Sequence, residues 1–149
     1  MRRLGFLLVV VLMLMQTLVA CDSAPSDSPA DAIGEKLIGS WLREYEEAGV
    51  RVRRVLVLER DGTFREMSSV LPAEPDAQPT LSTASGEWVF DGTNLKRHYR
   101  RINDKSLSAP NYPFATFEIR FPDRTHFAGL DRVRRIELSY QRVDEGTQP

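Results

Sequence analysis

The stretch that decides the fold is residues 50–68, which read VRVRRVLVLERDGTFREMS. Two runs that favour extended backbone, 50–58 and 63–68, flank the dipeptide Asp61-Gly62. Asp-Gly is a strong hairpin signal because glycine tolerates the positive φ of a tight turn. The stretch therefore predicts two antiparallel strands joined by a short turn.

The same organisation continues through most of the chain. A second Asp-Gly pair, Asp91-Gly92, and the pair Pro122-Asp123 mark two further tight turns. The predicted strands are eight in number, and they lie at residues 40–45, 50–58, 63–68, 86–90, 94–101, 114–121, 125–130 and 134–143. The first of them, around Trp41, also fits a helix.

The lengths of the connections predict how the strands are arranged. Three tight turns alternate with two long, proline-bearing connections, 69–85 and 102–113. In an up-and-down antiparallel sheet successive connections lie at opposite ends, so the tight turns share one end and the long loops share the other. We expect a short helix before the first strand, with Ser28 as its N-cap and Pro29 in its first turn.

The composition limits the classes of protein that fit. The chain has 149 residues, a formal net charge of -1, one cysteine and two histidines. This length suits one domain, and a single cysteine excludes an internal disulfide framework and a cysteine-rich zinc site. The near-neutral charge argues against a general nucleic-acid binder. We expect no metal, no cofactor and no nucleic-acid partner.

Residues 1–20 have the pattern of an export signal. Arg2 and Arg3 precede an apolar run that ends in a small residue, Ala20. The segment Leu18-Val19-Ala20-Cys21 resembles the lipobox of bacterial lipoproteins. The resemblance implies cleavage before Cys21, a diacylglyceryl group on its sulfur, and a further acyl chain such as palmitate on the new amine. An uncleaved transmembrane anchor is the alternative, but the apolar run is short for a span.

Gly39-Ser40-Trp41 and Arg142 connect the remainder to a known family. A Gly-x-Trp motif after a short helix, together with an arginine in the last strand, resembles the pattern of the lipocalin-like superfamily. Within that superfamily, the small bacterial domains are the most similar. The motif recurs at Gly86-Glu87-Trp88, and the family's Thr-Asp-Tyr signature is not visible. The resemblance implies an all-β, eight-stranded up-and-down antiparallel barrel, closed at one end by Trp41 and Arg142 and open at the end with the long loops.

These observations divide the chain into four parts: a signal peptide (1–20), a flexible tether (21–32), the lipocalin-like domain (33–143) and a disordered tail (144–149). They imply a lipid-anchored protein of a bacterial membrane whose domain faces the periplasm. Asp22 resembles the inner-membrane retention signal of enteric bacteria. That rule differs between lineages, so the inner and the outer membrane both stay open.

Residues suited to catalysis are few. His98 and His126 lack a carboxylate partner at a diagnostic spacing, and the sequence contains no nucleophile elbow, phosphate loop or zinc-protease motif. Asp61 and Asp91 are explained by their turns, and lipidation would consume Cys21. We therefore expect a protein that is not an enzyme.

Arginines form the one unusual pattern. They open predicted strands 50–58 and 134–143 and close strand 94–101, so the up-and-down topology brings them to the open end. Guanidinium groups bind carboxylates and phosphates, and the candidate ligand-binding residues are Arg51, Arg53, Arg54, Arg100, Arg101, Arg132, Arg134 and Arg135. A solvated rim that aids solubility is the alternative interpretation.

Two functions fit this sequence. The first is lipid-anchored, non-enzymatic binding of a small amphipathic or anionic ligand at the open end. The second is a periplasmic protein-binding module, an inhibitor or an assembly partner, that uses loops 69–85 and 102–113.

The interior is predicted from side-chain size and strand parity. Inward candidates, Val55 and Val57 among them, are bulky, which indicates a narrow cavity or none. Glu66 and Arg97 each lie two residues from an inward candidate on their own strand, Phe64 and Tyr99, so alternation places both of them on the inner face. We nevertheless expect a bulge or a strand twist to turn one of them outward.

Overall fold

A computed structural model of the chain describes residues 29–74, 76–108 and 113–149. In this part, one helix precedes nine strands: α1 (Pro29–Leu37), β1 (Gly39–Glu47), β2 (Val50–Leu58), β3 (Thr63–Leu71), β4 (Thr80–Phe90), β5 (Asn94–Ile102), β6 (Lys105–Ser106), β7 (Phe114–Arg120), β8 (His126–Asp131) and β9 (Ile136–Val143). The export signal, Cys21 and Ser28 lie outside the described residues.

Eight of the strands form a closed antiparallel barrel, and α1 precedes the first of them. Successive strands pair with one another, β7 follows β5 in the barrel, and β9 returns to pair with β1. The two-residue β6 folds back on the end of β5. The predicted fold class is confirmed. Closure pairs most of the strand edges in the described part of the chain, which protects the sheet from edge-to-edge association.

The tight turns lie at one end of the barrel, the closed end. In each of them an aspartate carboxylate accepts the backbone N–H two residues further on: Asp61 from Thr63 at 2.9 Å, Asp91 from Thr93 at 3.1 Å and Asp123 from Thr125 at 2.7 Å. The connections at 72–79 and 103–113 lie at the opposite, open end. Two short turns, 48–49 and 132–135, lie at the open end as well.

The strand bounds differ from the prediction mainly at the open end. β4 begins at Thr80 and β3 continues to Leu71, because the two strands pair residue by residue from Thr63↔Glu87 to Val70↔Thr80. The loop predicted at 69–85 is therefore shorter and spans 72–79. The loop predicted at 102–113 begins after Ile102, contains β6, and lies outside the described residues at 109–112.

Both ends of the domain also differ from the sequence-based division. The helix begins at Pro29, so residues 29–32, assigned to the tether, are helical. Residues 144–149, predicted to be disordered, contain a turn in which Thr147 N donates to Asp144 O at 3.2 Å. Residues 145–148 line an outer groove together with Val57 and Met67.

Aromatic and aliphatic side chains fill the closed half of the interior. The Trp41 ring packs edge-on against Phe127 at 4.7 Å between ring centres, and Tyr140 stacks on Phe127 at 4.6 Å. The largest fully buried side chains are Trp41, Phe64, Phe127, Leu37, Leu56, Leu58, Leu95 and Val55. The register Trp41↔Leu56 makes the even-numbered residues of β2 face inward. The prediction that Val55 and Val57 face inward was therefore wrong, although packing on the outer face still buries Val55.

Candidate ligand site at the open end

The closed end joins α1 to the barrel through Trp41 and Arg142. The Arg142 guanidinium carbon lies 4.2 Å from the centre of the Trp41 ring. Arg142 Nη1 donates to Ile38 O at 3.0 Å and Nη2 to Lys36 O at 2.5 Å, while Trp41 Nε1 donates to Leu37 O at 2.7 Å. These carbonyls end a helix and have no partner within it, so the pair supplies the missing donors.

The structure explains why the first residue of the Gly-x-Trp motif is a glycine. Gly39 has φ of 125°, and a Cβ at this position would lie 2.7 Å from Arg142 Nη1. A larger residue would strain the backbone and displace the guanidinium from the helix carbonyls. Gly39, Trp41 and Arg142 thus form one structural unit at the end opposite the candidate ligand site.

The candidate arginines lie in the open half of the barrel, spread around its circumference. Arg51, Arg53 and Arg54 belong to β2, Arg100 and Arg101 to β5, and the other three to the turn at 132–135. This turn replaces the predicted start of a strand at 134, because the Asp131 carboxylate accepts the N–H groups of residues 133 and 134. Only Arg54 faces the interior; Arg51 and Arg53 lie on the outer face of β2.

Carboxylates neutralise much of this positive charge. Five of the eight arginines face one: Arg53–Glu44 at 3.3 Å, Arg54–Glu66 at 3.6 Å, Arg100–Glu87 at 3.0 Å, Arg132–Glu118, and Arg134–Asp131 at 4.0 Å. Arg101 donates to the Asp104 carbonyl at 2.9 Å. Among the described residues, no carboxylate oxygen lies within 4.0 Å of Arg51 or Arg135.

Exposed apolar side chains surround the same end. Phe114, at the start of β7, is 69% exposed, and Val133, in the turn at 132–135, is 93% exposed. The large exposed apolar residues of the open half are Leu81, Ile102, Phe114, Leu130, Val133 and Ile136. The sequence analysis missed this feature, although Val133 between Arg132 and Arg134 was a visible signal. The open end therefore combines positive charge with apolar surface.

Glu66 and Arg97 both point into the barrel, which corrects the expectation that one of them turns outward. Arg97 Nη1 lies 2.5 Å from Glu66 Oε2, and their side chains are only 2% and 7% exposed. Arg54, whose side chain is 27% exposed, donates from Nε to Ser68 Oγ at 3.1 Å and faces the other Glu66 oxygen. A bulge does occur in β5, where Arg100 is the extra residue between the pairs Gly86↔Tyr99 and Ser85↔Arg101, but it does not reverse either residue.

The buried charges change the ionisation of their surroundings. Burial opposes the charge of Arg97, but its Coulombic interactions with Tyr140 and with the Glu66 carboxylate raise its pKa above the ordinary value. Burial also raises the pKa of Tyr99 to about 12. Near neutral pH Arg97 is therefore a fixed positive charge and Tyr99 a neutral hydroxyl.

Arg43 is a further inward-facing cation that the sequence analysis did not single out. It shares the inner face of β1 with Trp41, and its guanidinium carbon lies 4.1 Å from the centre of the Tyr45 ring. In the pairing of β1 with β2, Arg43 is directly opposite Arg54. Like charges at directly opposite positions destabilise a strand pair, so this arrangement needs an explanation.

The histidines lie outside the barrel interior. The His98 ring stacks on Phe114 at 4.2 Å, and His126 Nδ1 lies 3.0 Å from the carboxylate of Asp123 in a closed-end turn. Within the part of the chain that the structure describes, no three His, Cys, Asp or Glu side chains are grouped as a metal site requires. None of the helices in that part is long and apolar enough to cross a bilayer.

Comparison with known proteins adds no family to this description. The sequence matches no protein-family model, and a search of curated proteins finds no match either.

Proposed function

We propose that the protein is a lipid-anchored, non-enzymatic component of the bacterial cell envelope that binds a small amphipathic anion at the open end of its barrel. One observation carries the ligand proposal. Arginines and exposed apolar side chains occur together at the open end, where a ligand with an anionic head and an apolar body finds partners for both parts. The lipobox resemblance at Cys21 supports the anchor and a periplasmic location.

The filled closed half of the interior supports a ligand held near the mouth. Trp41, Phe64 and Phe127 are almost completely buried, and they occupy the space that a deep calyx would need. Eight-stranded barrels either fill with side chains or keep room for one small ligand. A ligand of this protein therefore leaves part of its surface near the exposed residues of the open end.

The ligand is tested by native mass spectrometry of the full-length protein extracted from its own membrane. We expect an adduct of small mass that is lost from the triple variant Arg51→Glu, Arg101→Glu, Arg135→Glu. The matched control reverses three exposed arginines of the closed half, Arg60, Arg65 and Arg124, and changes the net charge equally. This control retains the adduct. Loss of the adduct from both variants, or retention in both, contradicts binding at the open end.

A protein partner is the second candidate, and the exposure of Phe114 and Val133 favours it. Exposed apolar groups among arginines are also typical of protein interfaces. The same measurement separates the two candidates, because a protein partner adds the mass of a polypeptide and leaves the barrel without a small-molecule adduct.

A further inference from the structure

The inner wall above the aromatic core concentrates charged residues. Its cations are Arg43, Arg54 and Arg97, and its carboxylates are Glu66, Asp131 and, at the exposed end of β1, Glu47. Glu66 already faces two guanidinium groups, with oxygens 2.5 Å from Arg97 Nη1 and 3.6 Å from Arg54 Nε. The buried Nε of Arg97 meets no hydrogen-bond acceptor among the described residues. One carboxylate is thus shared by two arginines and still leaves one of their donors without a partner.

Of the other two carboxylates, Glu47 lies exposed at the rim, and Asp131 is bound elsewhere. Asp131 Oδ1 accepts the backbone N–H groups of Val133 and Arg134, each at 2.9 Å. Its second oxygen lies 4.0 Å from Arg134 Nε. Within the described residues no carboxylate oxygen lies within 4.0 Å of Arg43, so Arg43 faces Arg54 across the strand pair without a counter-ion.

We propose that a carboxylate head group, carried on an apolar tail, binds between Arg43 and Arg54. This inference rests on the proposed ligand-binding function and deepens it by naming the head group and the two residues that hold it. Arg43 and Arg54 are register partners in the strand pair, so an anion between them replaces the repulsion of two like charges with charge-assisted hydrogen bonds to both. Ser68 adds a donor, because its hydroxyl accepts from Arg54 Nε at 3.1 Å and keeps its own proton to donate.

The layer beneath sets the depth of the head group. Glu66 and Arg97 lie under Arg54, and the side chains of Phe64 and Leu95 fill the barrel below them. The head group can therefore descend to Arg54 and no further. Its tail points toward the open end, where the cross-strand pair Val52↔Val70 continues the inner wall with apolar surface.

The barrel wall is incomplete next to Arg43. β1 and β9 pair only at Ser40↔Val143, Trp41↔Arg142 and Leu42↔Gln141. Above Leu42 the two strands form no ladder, and Arg43 is the first residue of β1 beyond the paired part. This seam, together with the partial exposure of Arg54, gives an anion from solution access to both guanidinium groups.

The test measures binding of dodecanoate, below its micelle concentration, by isothermal titration calorimetry on the folded protein. Dodecyltrimethylammonium serves as the cationic control. We expect Arg43→Gln to weaken dodecanoate binding at least tenfold, as loss of a charge-assisted hydrogen bond does. Because this substitution relieves a repulsion, the melting temperature of the unliganded variant does not fall. Arg54→Lys keeps the charge and retains most of the affinity, and Arg124→Gln, at an exposed arginine of a closed-end turn, leaves the affinity unchanged.

The outcomes separate this inference from the function on which it rests. Absence of dodecanoate binding to the unmodified protein overturns both the ligand function and the head-group site. Binding that survives Arg43→Gln but is lost in the Arg51, Arg101, Arg135 triple variant keeps the function at the open end and overturns the interior site. Equal binding of dodecanoate and dodecyltrimethylammonium also overturns the interior site, because two arginines that bind the head group would favour the anion over the cation.

Discussion

At the scale of single residues, Trp41 does two things at once. Its ring fills the closed end against Phe127, and its indole N–H satisfies a carbonyl at the end of α1. Arg142 lies over the same ring and donates to the carbonyls of Lys36 and Ile38 at the end of α1. Helix and barrel are therefore coupled through one side chain that is fully buried.

We expect Trp41→Ala to lower the free energy of unfolding by about 3–5 kcal/mol, the usual range for removing a large aromatic side chain from a core. Chemical denaturation monitored by circular dichroism measures the change. Trp41→Phe is the matched control, because it keeps an aromatic ring but loses the N–H donor, and it should cost clearly less. A loss below about 1 kcal/mol for the alanine variant would contradict the packing role described for Trp41.

The residues of the candidate site show what strand parity alone can predict. The sequence places Glu66 and Arg97 on inward-facing positions, and this placement is correct. The further expectation that one would turn outward was wrong. It overestimated the penalty of burial, since Arg97 and Glu66 pair directly and Arg54 adds a third charge at the same carboxylate. The sequence analysis did not single out Arg43, because what distinguishes this residue is that it lies directly opposite Arg54 in the strand pair. The sequence of one strand does not show which residue of the next strand lies opposite.

At the scale of the elements, β2 explains why the faces were assigned incorrectly. Val55, Leu56, Val57 and Leu58 form a continuous apolar run, which has no alternation from which to read the inner face. Only pairing with β1 decides it, through Trp41↔Leu56. The early start of β4 was missed for a related reason: residues 80–85 are mostly small, and several are solvent-exposed, so they carry no apolar alternation.

The bulge between β4 and β5 depends on Gly86. A Cβ at this position would lie 1.9 Å from the His98 carbonyl oxygen, so a larger residue forces the two strands apart. We expect Gly86→Ala to lower the free energy of unfolding by about 3 kcal/mol or more, measured by urea denaturation.

Gly34 in α1 provides the matched control for Gly86. Among the described residues, and apart from the backbone of α1 itself, no heavy atom lies within 4 Å of a Cβ added there. Gly34→Ala should raise stability by about 0.5–1 kcal/mol, because alanine favours a helix more than glycine does. Similar effects of the two substitutions would contradict the close strand approach at Gly86.

The aspartates of the closed-end turns predict sensitivity to acid. The N–H of Thr125, the His126 side chain and the Thr125 hydroxyl lower the pKa of Asp123 from its ordinary value of 3.8 to about 2. The pKa of Asp61 is lowered by the Thr63 hydroxyl and N–H, and that of Asp91 by Lys96 and the N–H groups of its turn. A carboxylate with a lowered folded-state pKa contributes stability above about pH 4 and loses it as the pH falls toward 2.

We therefore expect the melting temperature to fall as the pH decreases from 4 to 2, and to fall less steeply in Asp123→Asn. Differential scanning calorimetry over this range measures both slopes. Glu74→Gln is a suitable control because it removes an exposed carboxylate outside the turns. If Asp123→Asn and Glu74→Gln change the slope equally, the turn hydrogen bonds do not control the acid response.

At the scale of the whole molecule, the sequence carried enough information for the topology but not for the site. Hairpin signals and connection lengths determine an up-and-down order of strands, and that order alone brings distant arginines to one end. It does not determine the direction of each side chain. Arg54 enters the barrel, Arg53 pairs with Glu44 outside it, and Arg132 pairs with Glu118 on a neighbouring strand.

The same topology bears on orientation at the membrane. The helix α1 crosses the closed end, where Glu35 pairs with Arg60 of the first tight turn at 2.6 Å. If Cys21 carries the proposed lipid, residues 22–28 connect it to Pro29 and reach at most about 25 Å. A nine-residue strand tilted by about 40° spans a height of about 20–25 Å. The open end could then touch the same membrane only with the tether almost fully extended, so we expect it to face away.

Nitroxide quenching tests this orientation on the lipidated protein in vesicles. A fluorophore is attached to a cysteine introduced at Lys36, near the closed end, or at Val133, at the open end; Cys21, the one cysteine of the sequence, would be blocked by the proposed lipid. Spin-labelled head groups should quench the label at Lys36 several-fold more strongly than the label at Val133, because quenching falls steeply with distance. A variant without residues 1–20 that carries Cys21→Ser, and so cannot receive the proposed lipid, should show little quenching at either position. Stronger quenching at Val133 would place the arginines against the membrane and make its anionic lipids, rather than a soluble amphipathic ligand, their partner.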